Sequence, residues 1–426
     1  MRTLIIVTLS MLCSLNVLIS QEWTEVTSGV TTPLTSISNY DNYNAWTCGN
    51  NGVVLRSTSS GDIWSNLSGN GLPSNISLVN IYGVSASTAL TAGYIGTTTY
   101  VYRTSNSGAN WNLVFTQPNG FINGIWLNGP LNGFMTGNPV GGRWSLWKTT
   151  NGGTNWDSTG MYLLQRNAEL GWNNSLYRSG NETWFGTNKA RIYHSTTGST
   201  PWDSQSTGAN TNIYTIWVVD HAPFIGYAGG DSLSKTTNSG SVWNLHPSAG
   251  TGAITGFACF VYMDRIWHIR GNSNIYGGYV YPNPSWFIHY TAPAGIYTHL
   301  TVLKPASFNG KMFAVRNNGG ISRCGYAFLG ISQVSGVIPE SYKLGQNYPN
   351  PFNPVTSIEF QIVEFGFTRL AIYDALGQKI QVLLNQVLRS GTYEINWNAS
   401  AYPSGVYFYK LSADGYTDTK KMVLIK

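Results

Sequence analysis

A short box that ends in tryptophan recurs along this chain and constrains its fold more than any other feature. The best copies have Thr first, Asn third, Gly fifth and Trp eighth, and two copies are degenerate. The five boxes are Ser57–Trp64, Thr104–Trp111, Thr149–Trp156, Ser195–Trp202 and Thr236–Trp243. With Trp23 and Trp286 added, successive tryptophans are 41, 47, 45, 46, 41 and 43 residues apart. A period of this size is typical of one four-stranded propeller blade.

The segments between the boxes have the character of short strands. Runs rich in Val, Ile, Tyr, Trp and Thr alternate with Gly, Asn and Ser turns, and only 10% of the residues are charged. Glu22–Val26 resembles a last strand without a blade, and residues 300–325 resemble a blade without its last strand. Joining them would hide both sheet edges. The sequence therefore predicts an all-β chain in which residues 21–333 form a seven-bladed β-propeller, with six blades as the alternative.

Each position of the box has a physical reason. The Asn side chain can bond to the local backbone, the Gly permits a positive φ, and the Trp opens the next strand and packs over the turn. In the fourth copy Thr197 and Ser199 replace Asn and Gly, so we expect a looser turn there. We assign structural roles in the turns to Asn106, Gly108, Trp111, Asn151, Gly153, Trp156, Asn238, Gly240 and Trp243.

These boxes resemble the Asp-box, or bacterial neuraminidase (BNR) repeat. That family has Asp where the three best copies here have Asn, and Ser where they have Thr. The resemblance implies a propeller and covers sialidases, other glycoside hydrolases, sortilin-type receptors and photosystem II assembly factors. Because the box is a folding device in all of them, it indicates fold far more than function.

The N-terminus, residues 1–20, reads as a secretory signal peptide. Arg2 is the charged start, Leu4–Leu12 is a short apolar segment, and Ser20 is a small residue before Gln21. No other stretch reaches the length of a membrane span. The mature chain is therefore expected to be soluble or held at the cell surface from outside.

The composition changes after a linker at residues 334–343. Pro349, Pro351 and Pro354 preclude a helix and fix an extended entry into residues 344–426. About seven short strands then follow, which predicts a small Ig-like β-sandwich.

This segment is similar to the type A C-terminal sorting domain of the type IX secretion system. The similarity rests on Gln346–Pro354, Ile372–Gly377, Pro403–Tyr409 and Lys420–Lys426. It implies the type IX machinery as a partner and export across the outer membrane of a Gram-negative bacterium of the Bacteroidetes–Chlorobi group. The cargo would then be released or held at the surface. The motif residues are Asn347, Pro349, Pro351, Phe352, Pro354, Gly377, Gly405, Lys420 and Lys421.

No catalytic constellation is evident, and we expect no cofactor and no metal site. The sequence has no Gly-x-Ser-x-Gly motif or P-loop, and its six histidines lack metal-ligand spacing. Glycosidase chemistry needs two carboxyl groups across one cleft, for which Asp220 and Asp231 are the candidates. The net charge of +6 forms no run, so nucleic acid binding is not expected. Cys48, Cys259 and Cys324 are expected to be buried thiols, with a Cys48–Cys324 bridge as the lesser alternative.

Loops on a rigid scaffold are where we expect binding. The candidates on the second-to-third-strand turns and the links between blades are Tyr94, Arg143, Trp144, Arg166, Lys189 and Asp231. An exposed Trp144 beside Arg143 would suit a sugar or a protein hot spot, although Trp144 could equally cover a blade edge. A basic side chain also stands eight residues before each box Trp. We interpret this stripe as solvated strand side chains rather than an acidic-partner site: Arg56, Arg103, Lys148, His194 and Lys235.

The sequence thus favours a secreted, non-enzymatic propeller that binds a glycan or a protein. The alternatives are a secreted glycoside hydrolase or lyase and an assembly factor similar to the photosystem II group. A funnel with two close carboxylates would favour the enzyme, and a funnel lined by aromatic, Asn and Ser side chains would favour binding.

Overall fold

The structure is a computed structural model. It describes residues 23–208, 210–218, 225–259, 265–279, 285–301, 309–327, 331–364, 366–388 and 390–426. Across these residues every helix or strand is a β-strand, as the composition predicts. The strands form nine antiparallel sheets, seven within residues 23–327 and two within residues 331–426.

The N-terminal strand and the first three sheets occupy residues 23–149. Their strands are β1 (Trp23–Val26); in sheet 1, β2 (Leu34–Asn39), β3 (Ala45–Gly49), β4 (Val54–Ser57) and β5 (Ser65–Asn66); in sheet 2, β6 (Ser77–Gly83), β7 (Ala89–Ile95), β8 (Thr98–Thr104) and β9 (Asn112–Pro118); and in sheet 3, β10 (Ile122–Asn128), β11 (Asn132–Val140) and β12 (Arg143–Thr149).

The next four sheets occupy residues 171–327. They are sheet 4, β13 (Gly171–Ser179), β14 (Glu182–Thr187), β15 (Arg191–Ser195) and β16 (Asp203–Ser206); sheet 5, β17 (Ile213–Val218), β18 (Gly226–Gly230), β19 (Leu233–Thr236) and β20 (Asn244–His246); sheet 6, β21 (Ile254–Cys259), β22 (Arg265–Arg270), β23 (Asn274–Tyr279) and β24 (Ser285–Thr291); and sheet 7, β25 (Tyr297–Thr301), β26 (Asn309–Arg316) and β27 (Ile321–Ala327).

The seven sheets follow one another around a closed ring. The first strand of each sheet contacts the first strand of the next, from β2 and β6 through β10, β13, β17 and β21 to β25, which contacts β2 again. Within each sheet the strands follow in chain order from this inner strand outwards. The first strands therefore line the centre of the ring.

The ring is closed by β1, as predicted from the two incomplete ends of the repeat region. Strand β1 pairs with β27 as the fourth strand of sheet 7, with Trp23 opposite Cys324. Glu25 of this strand accepts hydrogen bonds from Arg316 Nη1 (2.9 Å) and Ser322 Oγ (2.6 Å). Burial opposes ionisation of Glu25, but these partners outweigh it and lower its pKa. Because Arg316 is 3% exposed, losing Glu25 would leave a buried cation unpaired.

Each repeat tryptophan lies against the sheet that precedes its own. Trp64 of sheet 1 meets Phe313 of sheet 7 edge-on at 5.8 Å, and Trp111 of sheet 2 meets Trp46 of sheet 1 at 6.1 Å. Trp202 of sheet 4 lies 6.1 Å from Phe134 of sheet 3. The indoles thus hold neighbouring sheets together. Each aromatic contact contributes about 0.5–1.5 kcal/mol beyond the contribution from buried area.

The box turns are built almost identically in the three best copies. In the Thr104 box, Thr104 Oγ1 accepts from Gly108 N (3.0 Å) and Asn106 Oδ1 accepts from Asn110 N (3.0 Å). The fifth-position glycines have φ values of +85°, +81° and +86°. In the fourth copy, Gly198 is left-handed at +69° but Ser199 is not among the left-handed residues. The turn therefore changes where the sequence loses its glycine.

The C-terminal residues form two packed sheets with their own core. One sheet has the order β28 (Ile331–Ser335), β33 (Gly391–Asn398), β30 (Val355–Ile362) and β29 (Lys343–Leu344). The other has the order β32 (Lys379–Leu388), β31 (Gly366–Asp374), β34 (Gly405–Ala413) and β35 (Tyr416–Leu424). Strand β28 pairs with β33. Residues 331–335, which we expected in the propeller and the linker, therefore belong to a sheet of this unit.

Two of the cysteines are buried thiols, as expected. Burial raises the pKa of Cys48 and of Cys324 to about 12, and neither forms a disulfide. The side chain of Cys259 and the signal segment 1–20 lie outside the described residues.

We predict that Gly153→Ala destabilises the chain more than Gly142→Ala does. Both glycines are left-handed, at +81° and +77°, so both variants carry a backbone penalty of about 1–2 kcal/mol. Only a Cβ at Gly153 would press on Leu90, at 2.7 Å, whereas nothing lies within 4 Å of one at Gly142. Overpacking adds about 1–3 kcal/mol. Urea unfolding of both variants measures the difference, and equal losses would contradict a packing role for the box glycine.

Candidate binding face and sorting motif

The first strands share an irregularity near their start. In six of them a single residue bulges out of the pairing with the second strand. We call these residues, together with residues 172–174 of a longer bulge in β13, the bulge ring. Its members are Thr35, Val79, Asn123, Trp172, Asn173, Asn174, Tyr214, Thr255 and Thr298.

The bulge of β13 is longer than the others. Between its paired residues, β13 has four residues, 172–175, where β14 has only Gly186. Strand β13 therefore has three more residues than its partner at the bulge, whereas each of the other first strands has one more. Asn174 takes a left-handed φ of +63° within it. The two additional residues carry side chains away from sheet 4 towards the centre of the ring.

Asn173 and Asn174 bridge the ring. Asn173 Nδ2 donates to the carbonyl of Val79 in sheet 2 (2.6 Å). Asn174 Oδ1 accepts from Asn80 Nδ2 of sheet 2 (2.6 Å) and from Ser36 Oγ of sheet 1 (3.1 Å). Sheet 4 is thus tied through amide groups to two sheets that are not its neighbours. We call this group of hydrogen-bonded side chains at the centre of the ring, Ser36, Asn80, Asn173 and Asn174, the polar floor.

Other polar side chains of the first strands also have structural partners. Ile37 N donates to His299 Nδ1 (3.0 Å), Ile81 N to Ser36 Oγ (3.3 Å) and Ile125 N to Asn80 Oδ1 (3.1 Å). Each bond joins one first strand to the preceding one. Backbone groups on the inner edges of sheets 1 to 3 are thereby satisfied without a ligand.

Beside the polar floor, Trp172 and Tyr214 form an aromatic pair across sheets 4 and 5. Their ring centroids are 4.5 Å apart and the planes are inclined by 49°. Both side chains are partly exposed. Burial, and secondarily Asp231, raises the pKa of Tyr214, so its hydroxyl stays protonated at neutral pH.

The six predicted binding residues lie around this region, and five of them reach solvent. Arg143, Arg166, Lys189 and Asp231 are exposed, and Tyr94 is partly exposed and packs on Phe121 at 5.4 Å. Arg143 stacks on the exposed ring of Tyr162 at 4.8 Å. We call these five residues the rim.

The structure decides between the two placements of Trp144 that the sequence left open. Its side chain is 3% exposed and packs against Phe185 and Tyr193, with centroid distances of 4.8 and 5.7 Å. Alternation along β12 explains this, because Arg143 points outwards and the next residue must point into the sheet interface. Trp144 therefore covers a sheet, the alternative left open by the sequence.

Backbone contacts link the rim positions along sheets 3 to 5. Gln165 N donates to Gly142 O (2.9 Å), which ties the connection at residues 157–170 to the turn before β12. Asn188 N donates to Leu170 O (3.0 Å), beside Lys189. Thr211 N donates to Asp231 Oδ2 (3.0 Å). Arg143, Arg166, Lys189 and Asp231 thus belong to one continuous face.

A buried carboxylate anchors this connection. Glu169 is 0% exposed and accepts from Arg191 Nε (3.0 Å), from the backbone N of Arg166 (3.1 Å) and from the Tyr193 hydroxyl. Tyr193 is 1% exposed, and burial followed by Glu169 raises its pKa. The pair can hold the loop but cannot reach a substrate.

Most of the basic stripe is occupied by structural contacts. Arg56 lies over the Trp46 ring at 5.1 Å, Lys235 lies over Tyr227 at 5.6 Å, and Arg103 Nε donates to Gly152 O at 2.9 Å. Lys148 approaches Asp157 at 3.9 Å, and His194 stacks on Trp184 at 4.7 Å. The stripe therefore braces strands and neighbouring sheets.

Two negative findings hold for the part of the chain that the structure describes. No three His, Cys, Asp or Glu side chains are grouped so that they could hold a metal ion. No helix has the length and apolar character needed to cross a bilayer. Asp220, one of the two carboxylates considered for catalysis, lies outside the described residues.

The sorting motif packs onto the last strand of the chain. Phe352 is buried, and its backbone N donates to Val423 O (3.0 Å) while its carbonyl accepts from Ile425 N (3.0 Å). Asn347 is also buried, and its Nδ2 donates to Thr356 Oγ1 (2.9 Å) and to Pro349 O (3.1 Å). The proline-rich entry is thus fastened to the strand that carries Lys420 and Lys421.

The remaining motif residues lie at turns and strand starts of the same unit. Gly377 is left-handed at +78° in the turn after β31, and Gly405 begins β34 opposite Leu424. Pro349 and Pro351 are exposed, and Pro354 is partly exposed. A cavity of about 420 Å³ lies beside the Gly377 turn and is lined by Tyr373, Leu376, Phe408, Lys410 and Thr419 among others.

We predict opposite pH dependence for two histidine variants. Burial lowers the pKa of His194, but hydrogen bonds to Asp203 and Glu182 outweigh it, and the net shift is upwards. Its contribution to stability is full below the unfolded pKa of about 6.5 and disappears as pH rises through the folded pKa. His194→Gln should therefore cost more Tm at pH 5.5 than at pH 8.5.

His246 provides the control. Burial, and then Lys235, lowers its pKa despite a bond to Pro247 O. Its stabilising neutral form is present above the unfolded pKa and is lost as pH falls. His246→Gln should therefore cost more at pH 8.5 than at pH 5.5. The same pH trend for both variants would contradict these assignments.

Comparison with known proteins gives fold relatives for most of the chain and a family for its C-terminal part. Among curated proteins, no sequence matches this chain. The ring region is similar in fold to YCF48 bound to D1 peptide, at 14% identity over 72% of this chain and 96% of that one, with a TM-score of 0.55. It is also similar to YCF48 from Cyanidioschyzon merolae, at 16% identity, with 72% of this chain and 98% of that one covered and a TM-score of 0.52. The WD40 β-propeller domain of Doa1 is similar at 11% identity, with 71% of this chain and 97% of that one covered and a TM-score of 0.52.

These similarities are to propeller proteins, and at such low identity they establish the fold alone. Residues 346–426 match the family described as the secretion system C-terminal sorting domain. The chain therefore carries a β-propeller fold together with a tail that indicates secretion by the type IX system and localisation at the cell surface.

Proposed function

We propose that this chain is an exported binding module whose rim and bulge ring hold a glycan or a protein without catalysing a reaction. The observation that most supports this proposal is that none of the seven first strands contains Asp or Glu. Their polar residues are Asn, Ser, Thr, Tyr and His, with Arg178 as the buried exception. A central opening lined by such side chains is suited to binding a ligand through hydrogen bonds and ring stacking.

The glycoside hydrolase alternative has weaker support. Retaining and inverting enzymes both need two carboxyl groups facing the scissile bond. Asp231 is exposed at the rim and already accepts from Thr211 N at 3.0 Å. Glu169 and Tyr193 are buried and engaged with each other. Among the described residues, the buried carboxylate of Glu169 is therefore not available as a partner for Asp231.

An assembly-factor role is the other alternative. YCF48 is a structural neighbour that was solved with a D1 peptide. By analogy a peptide could be the ligand here. Export signals argue against a role at a photosynthetic membrane, so we keep the analogy for the ligand class alone.

We further take the ring as seven-bladed and the C-terminal unit as an Ig-like sandwich. The cyclic contacts of seven first strands support the blade number. Two four-stranded antiparallel sheets over a common core support the sandwich. Residues 1–20 are proposed as the signal peptide, and the segment between β28 and β29 is the exposed connection in the tail.

The function is tested with the mature full-length chain on a glycan array and a peptide array, alongside an assay for reducing-sugar release. We expect binding to one array and no release above the buffer rate. Asp231→Asn serves as the control, because it removes the accessible carboxylate while keeping its size. Sugar release that falls in Asp231→Asn would overturn the binding proposal in favour of an enzyme.

Export is tested by fractionating cells of a host with a type IX system. A chain that ends at residue 335 should accumulate in the periplasm. Asn347→Ala should do so in part, because it removes the buried amide that donates to Thr356 Oγ1 and to Pro349 O and leaves only the Thr356 hydroxyl as donor to that carbonyl, at a cost of about 1–3 kcal/mol. Asn353→Ala, at an exposed position of the same motif, should be secreted normally. Secretion of the truncated chain would disprove the sorting role.

A further inference from the structure

We propose that the bulge ring at β13 binds a neutral saccharide unit, with Trp172 and Tyr214 as its stacking platform. This inference rests on the proposed binding function and narrows it to one ligand class and one subsite. It concerns residues that the sequence did not single out. Four features of the described residues support it.

The first feature is the platform itself. Trp172 and Tyr214 come from adjacent first strands and lie 4.5 Å apart at an inclination of 49°. Both rings stay partly exposed although they belong to the inner strands. Two inclined rings present apolar faces to the C–H groups of a pyranose, while the Tyr hydroxyl offers a polar tip.

The second feature is a set of polar atoms that have no hydrogen-bond partner among the described residues. In the bulge ring these atoms are Asn123 Oδ1, Trp172 Nε1, Asn173 Oδ1 and Thr255 Oγ1, each shielded from solvent, and further atoms of this kind lie elsewhere in the chain. Asn123 is 3% exposed, and its Nδ2 donates to Asn138 Oδ1 (3.1 Å). The same Asn138 oxygen accepts from Gly171 N (3.0 Å), which places Asn123 directly beside Trp172.

Sugar hydroxyls match this set. A hydroxyl donates one hydrogen bond and accepts two, so it can serve an amide oxygen and an indole N–H alike. Leaving a buried polar atom unpaired is costly, and a ligand that pairs it recovers that cost on binding. Tight packing keeps these groups in place, since a Cβ at Gly171 would lie 2.0 Å from Asn123 Nδ2.

The third feature is charge. Asn123, Trp172, Asn173 and Tyr214 are all uncharged at neutral pH. The charged groups Arg143, Arg166, Lys189 and Asp231 are exposed on the rim, and Asp231 affects the pKa of Tyr214 only secondarily to burial. Burying a charged sugar between neutral groups would carry a desolvation cost with no counter-charge. A neutral unit is therefore the better occupant of this subsite.

The fourth feature argues against a peptide strand added to the inner edges of sheets 1 to 3, across the ring from the platform. Strand addition needs backbone donors on an open sheet edge. On sheets 1 to 3, Ile37 N, Ile81 N and Ile125 N of the inner edges already donate to side chains of neighbouring first strands. A peptide added there would have to displace bonds that join the ring.

The test measures binding of neutral cello-, chito-, manno- and xylo-oligosaccharides to the mature full-length chain by calorimetry. At least one series should bind, and Trp172→Ala should weaken it about tenfold or more, as expected for loss of a stacking face. Tyr214→Ala is the second variant, in case the first fails to fold. Tyr43→Ala is the matched control, because Tyr43 is a highly exposed aromatic residue on the first-to-second-strand turn of sheet 1.

Normal binding by Tyr43→Ala together with weak binding by folded Trp172→Ala or Tyr214→Ala would support the subsite. Binding should also change less than about twofold between low and physiological salt, since no ion pair is involved. Binding only of acidic glycans or peptides, or neutral binding unchanged in both platform variants, would overturn the inference while leaving the proposed binding function standing. Absence of any ligand on either array would count against both.

Discussion

The contact of each repeat tryptophan with the preceding sheet is the interaction on which the ring depends. An indole of this kind buries about 150–250 Å², and in sheets 1 and 2 it meets an aromatic partner, Phe313 or Trp46, edge-on. No sheet can bury that surface alone, so every sheet requires a neighbour on both sides. The requirement is met only when the series closes, and Trp23 on β1 completes it by joining the cluster of Trp267 in sheet 6. The ion pair of the buried Arg316 with the more exposed Glu25 then fastens the closing strand.

This dependence explains why the fold was largely predictable from the sequence. Tryptophan spacing and box turns are local signals, and the incomplete ends, at Trp23 and beyond Leu300, pointed to the closure that the pairing of Trp23 with Cys324 confirms. Strand β28 was not predicted, because its partner β33 lies much further along the chain and no turn signal connects them. The burial of Trp144 was left open by the sequence because a position near a turn does not fix the direction of a side chain, whereas alternation within β12 does.

The binding face was only partly predictable for a similar reason. Exposed turn residues such as Arg143 and Lys189 can be found from loop position alone. The long bulge of β13 becomes visible only when its pairing with β14 is known, since Gly171 and Leu176 pair with residues only two apart. Trp172, Asn173 and Tyr214 therefore carried no signal in the sequence beyond a run of aromatic and amide residues. Features that depend on register between strands are fixed by tertiary pairing and not by local pattern.

The polar floor also limits what the centre of the ring can do. Ser36 and Asn80 each bind a neighbouring first strand and also bind Asn174, so each side chain holds three sheets together and the two of them join sheets 1 to 4. A catalytic group placed there would have to give up one of these bonds, with the cost of an unpaired buried donor. The bulge ring beside the polar floor is different. The side-chain nitrogens of Asn123 and Asn173 are hydrogen-bonded, whereas their Oδ1 atoms and Trp172 Nε1 have no partner. The same insertion that closes the centre therefore creates the surface on which a ligand can be held.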